Sequence, residues 1–180
     1  MKGHALRGLA WLLLLSGGLL SAQALYPLAK GRLAMRLIAD AYEHSPGSRP
    51  WPKADFRGVA RLQVPRLYVN QIVLDQATPR VLAFGPGLVH RNRHAGPIIS
   101  AHRDTHFNWI GRLQQGDELL WEQGGRVHRY RIAAFRVVDS DQQRIALPDT
   151  DTLLLTTCWP LDALTAGGSM RYVVTAIAMR

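Results

Sequence analysis

Residues 152–160 read Thr-Leu-Leu-Leu-Thr-Thr-Cys-Trp-Pro, an apolar run that is typical of a buried β-strand. Pro160 cannot donate a ladder hydrogen bond, so we expect the strand to end near Trp159. Cys158 then lies at a strand end, at the rim of a sheet, where functional groups are often presented. It is the one cysteine of the chain, which excludes an intramolecular disulfide. Three roles remain for it: inert core residue, metal ligand or nucleophile.

Short apolar runs broken by glycine, proline and aspartate surround this strand from about Asp55 onward. Many of them are rich in valine, isoleucine and tyrosine, as strands tend to be. A Gly124-Gly125 pair predicts a hairpin turn, and residues 105–113 predict a short helical turn. Many short strands and almost no long helix predict a mainly β domain of about 125 residues, built as a barrel or a sandwich. The predicted strands cover residues 59–64, 67–74, 80–84, 97–101, 117–122, 126–138, 144–147, 152–158 and 171–178.

A leader of different character precedes this β domain. Lys2 and Arg7 are followed by an uncharged, leucine-rich stretch over residues 8–29, and roughly 20 apolar residues are enough to cross a bilayer as a helix. We therefore predict an N-terminal transmembrane helix that is not cleaved. A secretory signal peptide ending near residues 22–24, Ala-Gln-Ala, is the alternative. Either leader would deliver the domain across a membrane.

A helix and a linker join the leader to the β domain. Apolar residues at helical spacing predict an amphipathic helix over about residues 30–43. Three prolines and a glycine within residues 45–52 predict a linker. The predicted organisation is an anchor or signal peptide over residues 1–29, a helix and linker over 30–54, and the β domain over 55–180.

The charge balance is strongly basic, with 22 lysines and arginines against 13 acidic residues and a formal net charge of +9. Such a balance indicates an anionic neighbour. The basic residues are scattered, so a cationic surface near membrane lipid is favoured over nucleic acid. The composition is 47% hydrophobic and 19% charged, which is typical of a packed globular domain and not of disorder.

Two further residues give Cys158 possible chemical partners. A thiol acts as a nucleophile when it is a thiolate, so it needs a base or a positive charge nearby. His102 ends the apolar run 97–101, and Arg171 begins the last strand. The connection between Cys158 and Arg171 contains Pro160 and two glycines, so it can reverse and bring Arg171 beside the thiol. A fixed cation there would favour the thiolate and could bind a developing oxyanion.

Each of these residues also has a plain structural interpretation, and two other functions stay open at this point. A single cysteine is commonly a small buried hydrophobe. His102 and His106 form an i, i+4 pair that would suit a zinc-dependent hydrolase, but the metalloprotease pattern needs glutamate after the first histidine, on a helix, where this chain has Arg103 after a strand. A membrane-tethered β-barrel binding module without catalysis is the other alternative. We expect no metal and no cofactor.

At these residues the sequence resembles the sortases, membrane-anchored cysteine transpeptidases, and most closely the proteobacterial sortases called class GN. The resemblance covers nearly the whole chain and is densest at three stretches. These stretches are residues 102–107 (His-Arg-Asp-Thr-His-Phe), 155–163 (Leu-Thr-Thr-Cys-Trp-Pro-Leu-Asp-Ala) and 171–174 (Arg-Tyr-Val-Val). The chain departs from the family at three positions that concern the shape of the pocket: the family usually has glycine at Ala101, threonine at Leu154 and phenylalanine at Leu161.

The resemblance implies a sortase-like eight-stranded β-barrel with short helices, preceded by a transmembrane helix. It implies Cys158 as the nucleophile, His102 as the general acid and base, and Arg171 as the group that stabilises the oxyanion or the substrate carbonyl. The reaction would cleave a Leu-Pro-x-Thr-Gly-like sorting signal and pass the acyl group, held as a thioester, to an amine. Further candidates for substrate binding or for orienting His102 are Ala101, Asp104, His106, Thr156, Thr157 and Trp159.

The resemblance also implies the surroundings of the enzyme. We expect a single-pass protein of the inner membrane whose catalytic domain is on the periplasmic side. Its partners would be an exported protein with a sorting signal, an amine acceptor, and membrane lipid around the anchor. Nucleic acid is not among the expected partners.

Overall fold

The computed structural model describes residues 2–89, 94–163, 165 and 167–179. These residues form two α-helices and eight strands, and short 3-10 turns lie at Pro65–Leu67 and Ile110–Arg112. In chain order the elements are α1 (Lys2–His44), β1 (Gly58–Val64), β2 (Val69–Leu74), α2 (Pro79–Leu82), β3 (Gly87–Leu88), β4 (Ile98–Ser100), β5 (Glu118–Gln123), β6 (Arg126–Asp139), β7 (Thr152–Cys158) and β8 (Met170–Ala178).

The strands close into a barrel in the order β1-β2-β3-β4-β7-β8-β6-β5. The β2–β3 and β4–β7 pairs are parallel, and the other pairs are antiparallel. This confirms the prediction of a mainly β, eight-stranded barrel. Because β8 lies between β6 and β7, the connection over residues 140–151 has to pass across β8.

The barrel interior is filled by every second side chain of the strands, as the two-residue period of a strand requires. In β1 the buried residues alternate with half-buried ones from Gly58 to Val64. Phe107, Trp109 and Ile110, from the segment between β4 and β5, join this interior cluster. That segment therefore starts at the end of β4 and is fixed to the barrel core a few residues later.

The chain divides into two compact units, Met1–Arg36 and Leu37–Arg180. Within the second unit, Ile38 from the last turns of α1 packs with Phe56, Leu74 and Val81. The predicted helix over residues 30–43 is thus the end of a continuous helix that began at Lys2. Along the ranges that the structure describes, no helix has both the length and the apolar character needed to span a membrane.

Two predicted strands are wrong, and one strand was not predicted. Residues 80–84 lie mostly in α2, because Pro79 occupies the first helical turn, where a missing N–H costs nothing. Residues 144–147 pair with no strand, and Ile145 packs instead against an apolar cluster that contains Leu154. The strand Gly87–Leu88 is too short to show a period in sequence.

Candidate active site

Cys158 and Arg171 are direct partners across the antiparallel β7–β8 ladder. Residues in such opposed positions have Cβ atoms about 4.5–5.5 Å apart. The connection between them reverses the chain, with positive φ angles of 121° at Gly167 and 86° at Gly168. The predicted return of the chain is therefore present, and it places an arginine beside the only thiol.

His102 reaches the same rim from the next strand along. In the parallel β4–β7 pair, Ser100 lies opposite Thr156. His102 comes two residues after Ser100, and Cys158 comes two residues after Thr156, so both lie at the same level along neighbouring chains. The Ala101 N–H donates to the Thr156 carbonyl at 3.3 Å, which continues the pairing past the last residue of β4.

The alternation of side chains places Cys158 on the outside of the barrel. Leu153 and Leu155 belong to the interior cluster, whereas Leu154 belongs to a second cluster on the outer face. Cys158 is an even number of residues from Leu154, so its side chain shares that outer face. By the same count, Arg171 shares the face of Val173, another member of the outer cluster.

On this outer face an apolar cluster is covered in part by the connection from β6 to β7. Its buried members are Ile98, Val138, Leu154 and Val173, and Ile145 packs against them. Cys158 and Arg171 are half-buried, and His102 is exposed. A thiol, an imidazole and a guanidinium thus lie at one end of the barrel, on the face that carries this buried apolar cluster.

The guanidinium of Arg171 is steadied by its own loop. Its Nη1 donates to the carbonyls of Gly168 at 2.8 Å and Met170 at 2.9 Å. An arginine carries five N–H groups in a planar fork, so the Nε and Nη2 groups are the ones that could reach a substrate oxygen. The arrangement suits a fixed oxyanion donor.

Asp104 and His106 each have partners of their own. The carboxylate of Asp104 pairs with Arg103 at 2.6 Å, and this hydrogen bond lowers the pKa of Asp104. The ring of His106 lies 3.5 Å from the Ala83 carbonyl, and burial lowers the pKa of His106. Among the described residues, no group of three histidine, cysteine or acidic side chains is placed to hold a metal ion.

The remaining candidates divide between the two faces of the sheet. Ala101 is buried in the barrel interior, and the Thr157 hydroxyl donates to the Ala101 carbonyl at 2.7 Å. Thr156 lies on the outer face below Cys158, and its buried hydroxyl oxygen has no hydrogen-bond partner. Trp159 stacks on Tyr172 with ring centroids 5.5 Å apart. Thr156 is therefore the candidate on the face of Cys158 whose buried hydroxyl is left without a hydrogen-bond partner.

Sequence reasoning missed two residues of this region. Arg103 is only 6% exposed and bonds to the loop that follows Cys158. Its one signal in the sequence is an arginine between a strand-end histidine and an aspartate. For Ile145 the sequence predicts a strand, whereas its packing on the outer cluster depends on the barrel order that takes this segment across β8.

Comparison with known proteins identifies the family. The family model described as the sortase domain matches residues 62–178, and the chain belongs to the sortase family. Sortase D of Bacillus subtilis (strain 168) is 32% identical over 79 residues, which are 43% of this chain and 39% of that protein. The matched segment is thus well under half of that relative's length.

Two solved structures are similar to this chain across most of the fold. The Clostridium perfringens sortase D5 transpeptidase superposes with a TM-score of 0.60 at 18% identity, covering 83% of this chain and 98% of that one. The catalytic domain of B. anthracis SrtD superposes with a TM-score of 0.57 at 25% identity, covering 76% of this chain and 96% of that one. The likeness confirms the sortase fold.

Proposed function

We propose that this protein is a cysteine transpeptidase in which Cys158 is the nucleophile, His102 the general acid and base, and Arg171 the oxyanion donor. The observation that carries the proposal is the shared rim: Cys158 opposes Arg171 in the β7–β8 ladder, and the β4–β7 register brings His102 to the same level. Membership of the sortase family supports the same reaction.

The reaction proceeds in two balanced halves. The Cys158 thiolate attacks a peptide carbonyl carbon, and the negative charge that develops on the oxygen is stabilised by Arg171. The C–N bond then breaks, and the His102 imidazolium gives its proton to the departing amine. This leaves a thioester on Cys158 and a neutral imidazole. An acceptor amine attacks the thioester, its proton passes to His102, and the thiolate departs.

The proposed substrate is an exported protein with a Leu-Pro-x-Thr-Gly-like sorting signal, and the acceptor is an amine. Cys158 and Arg171 are half-buried and His102 is exposed, so a peptide can reach all three residues from solvent. Class GN remains our proposal for the subgroup, on the motifs at residues 102–107 and 155–163.

The proposed location is the inner membrane, with the domain on the periplasmic side and α1 holding the protein at the bilayer. Large apolar side chains of α1, among them Trp11 and Leu12 to Leu15, are exposed, and the net charge of +9 suits anionic lipid. The full chain should sediment with the membranes at low salt, and a chain beginning at Leu37 should be released into the supernatant. Release of both would contradict the anchor.

The catalytic proposal is tested by trapping the acyl-enzyme. Incubation with a Leu-Pro-x-Thr-Gly peptide should give a mass adduct on Cys158 equal to the acyl part of the peptide, and Cys158→Ala should give none. We expect His102→Ala and Arg171→Ala to lower kcat/KM by about 10²-fold or more. Absence of both adduct and cleavage across a panel of sorting peptides would overturn the proposal for those signals.

A further inference from the structure

Arg103 is a charged residue in a buried place. Its side chain is 6% exposed, and a charge removed from water is costly unless it is paired and hydrogen-bonded. Here the pairing is a two-pronged contact with the neighbouring carboxylate. The Nε donates to one oxygen of Asp104 at 2.6 Å, and the Nη2 donates to the other at 3.0 Å.

The other bonds of the same guanidinium leave the histidine segment. The Nη1 donates to the Pro160 carbonyl at 2.7 Å, and the Nη2 also donates to the Ala163 carbonyl at 2.8 Å. Both carbonyls belong to the loop that follows Cys158. One side chain therefore ties the residue after His102 to the segment after the thiol.

Arg103 is also close enough to the site to interact with its charges. The pKa of Arg103 is raised chiefly by the hydrogen bond with Asp104, with smaller contributions from the nearby charges of Cys158 and Asp162. This clamp matters because β4 ends at Ser100, so the regular ladder stops before it reaches His102. The exposed imidazole therefore needs another constraint to keep it at the level of Cys158.

We propose that Arg103 is a positioning residue that sets the separation between the His102 imidazole and the Cys158 sulfur. This inference rests on the proposed transpeptidase function. An error of about 1 Å in such a separation can cost about 10²-fold in rate. The loss should fall on the step that needs the imidazole, which is proton donation to the leaving amine.

This role has a signature that general loosening of the fold would not produce. A peptide amide leaves as an amine and needs a proton from His102, whereas a thioester leaves as a thiolate and needs none. Without the Arg103 clamp, acylation by the amide should slow while acylation by a thioester of the same peptide continues. General damage to the barrel would slow both, because both need Cys158 and Arg171.

The test uses the full chain in detergent and follows single-turnover acylation of Cys158 by mass spectrometry. The substrates are a Leu-Pro-x-Thr-Gly peptide and the matching peptide thioester that ends at threonine. For Arg103→Gln we expect an approximately 10²-fold loss with the amide and a change within about threefold with the thioester. Arg103→Lys should resemble Arg103→Gln, because one ammonium cannot reproduce the fork that spans two carbonyls.

Arg66→Gln is the matched control. Arg66 forms the same type of fork, with Nε and Nη2 on the Asp117 carboxylate and Nη2 on the Arg112 carbonyl, but none of these partners belongs to the loop after Cys158. We expect its amide-to-thioester rate ratio to match that of the wild type. If Arg103→Gln does not fold, Asp104→Asn, which weakens the same clamp at an exposed position, should show a smaller loss confined to the amide.

The outcomes separate this inference from the proposed function. The positioning role would be overturned if the folded Arg103 variants slowed acylation by both substrates equally, or slowed acylation by neither. Acylation of the wild type would still support the transpeptidase in that case. If the wild type is acylated by neither substrate, the proposed function fails, and this inference fails with it.

Discussion

Asp117 is a buried carboxylate that links the turn after β1 to the segment before β5. It accepts hydrogen bonds from Arg66 and from the Gln114 N–H at 2.8 Å. The bonds from Arg66 hold the pKa of Asp117 below its ordinary value, against the opposing effect of burial. A carboxyl whose pKa is lower in the folded state adds stability above its unfolded pKa and loses it as the pH falls through the folded value.

Asp117→Asn should therefore lower the free energy of unfolding by about 1–2 kcal/mol at pH 7, because the charged hydrogen bonds to Arg66 are weakened. The gap between wild type and variant should narrow below about pH 4, the ordinary range of an aspartate pKa. Urea unfolding at a series of pH values measures this gap. A gap that stays constant down to pH 2 would contradict the role of the Asp117 charge.

Some single-residue placements could be predicted from the sequence, and others could not. The partnership of Cys158 and Arg171 was predictable, because the two strands are joined by a short connection with glycines. The hydrogen bond of the Thr157 hydroxyl was not, because its acceptor, the Ala101 carbonyl, is 56 residues away in sequence. The role of Arg103 depends in the same way on the carbonyls of Pro160 and Ala163, which only the folded chain brings near.

At the level of strands, Gly96 allows β4 and β7 to begin side by side. A Cβ atom at this position would lie 1.7 Å from the Thr152 carbonyl oxygen and 2.6 Å from that of Asp149. Gly96 also donates its N–H to the Pro148 carbonyl at 3.0 Å. The parallel pair that aligns His102 with Cys158 therefore starts from a backbone contact that no side chain fits.

Gly96→Ala should destabilise the protein by about 2–4 kcal/mol, because the backbone must move to remove the overlap. It should also lower acylation of Cys158 through the shifted β4–β7 register. Gly31→Ala is the control, since a Cβ at Gly31 meets no atom within 4 Å and alanine favours a helix by up to about 1 kcal/mol. Thermal unfolding of both variants provides the comparison, and equal melting temperatures would rule out the close contact.

Strands with local signals were predictable, whereas elements defined by distant partners were not. The hairpin between β5 and β6 follows from Gly124 and Gly125, whose φ angles are 59° and 74°. Residues 144–147 have the composition of a strand, yet the chain there crosses β8 and finds no free strand edge. β3 has two residues and exists because β2 and β4 lie on either side of it.

Considered as a whole, the β domain extends back into the last turns of α1. Ile38 and Tyr42 are buried, and Tyr42 lies under the Arg61 guanidinium, 5.6 Å from its ring centre. Leu37 is the start of the compact unit that contains the barrel.

A chain beginning at Leu37 should thus be more stable than one beginning at Ser45. The shorter chain loses the buried side chains of Ile38 and Tyr42, worth about 1.5–3 kcal/mol for a single large apolar residue. Guanidinium unfolding of the two chains measures the difference, and Ile38→Ala in the longer chain should reproduce part of it. Equal midpoints would show that the end of α1 adds nothing to the barrel.

The position of β8 also determines when Cys158 and Arg171 can pair during synthesis of the chain. This strand follows both of its neighbours in the chain, yet it lies between them and completes the ladders with β6 and β7. A nascent chain that has emerged as far as Cys158 carries the thiol but not the arginine opposite it. Insertion of the late strand closes the barrel and brings Arg171 opposite Cys158 in one event, so the pair exists only once the last strand has been made.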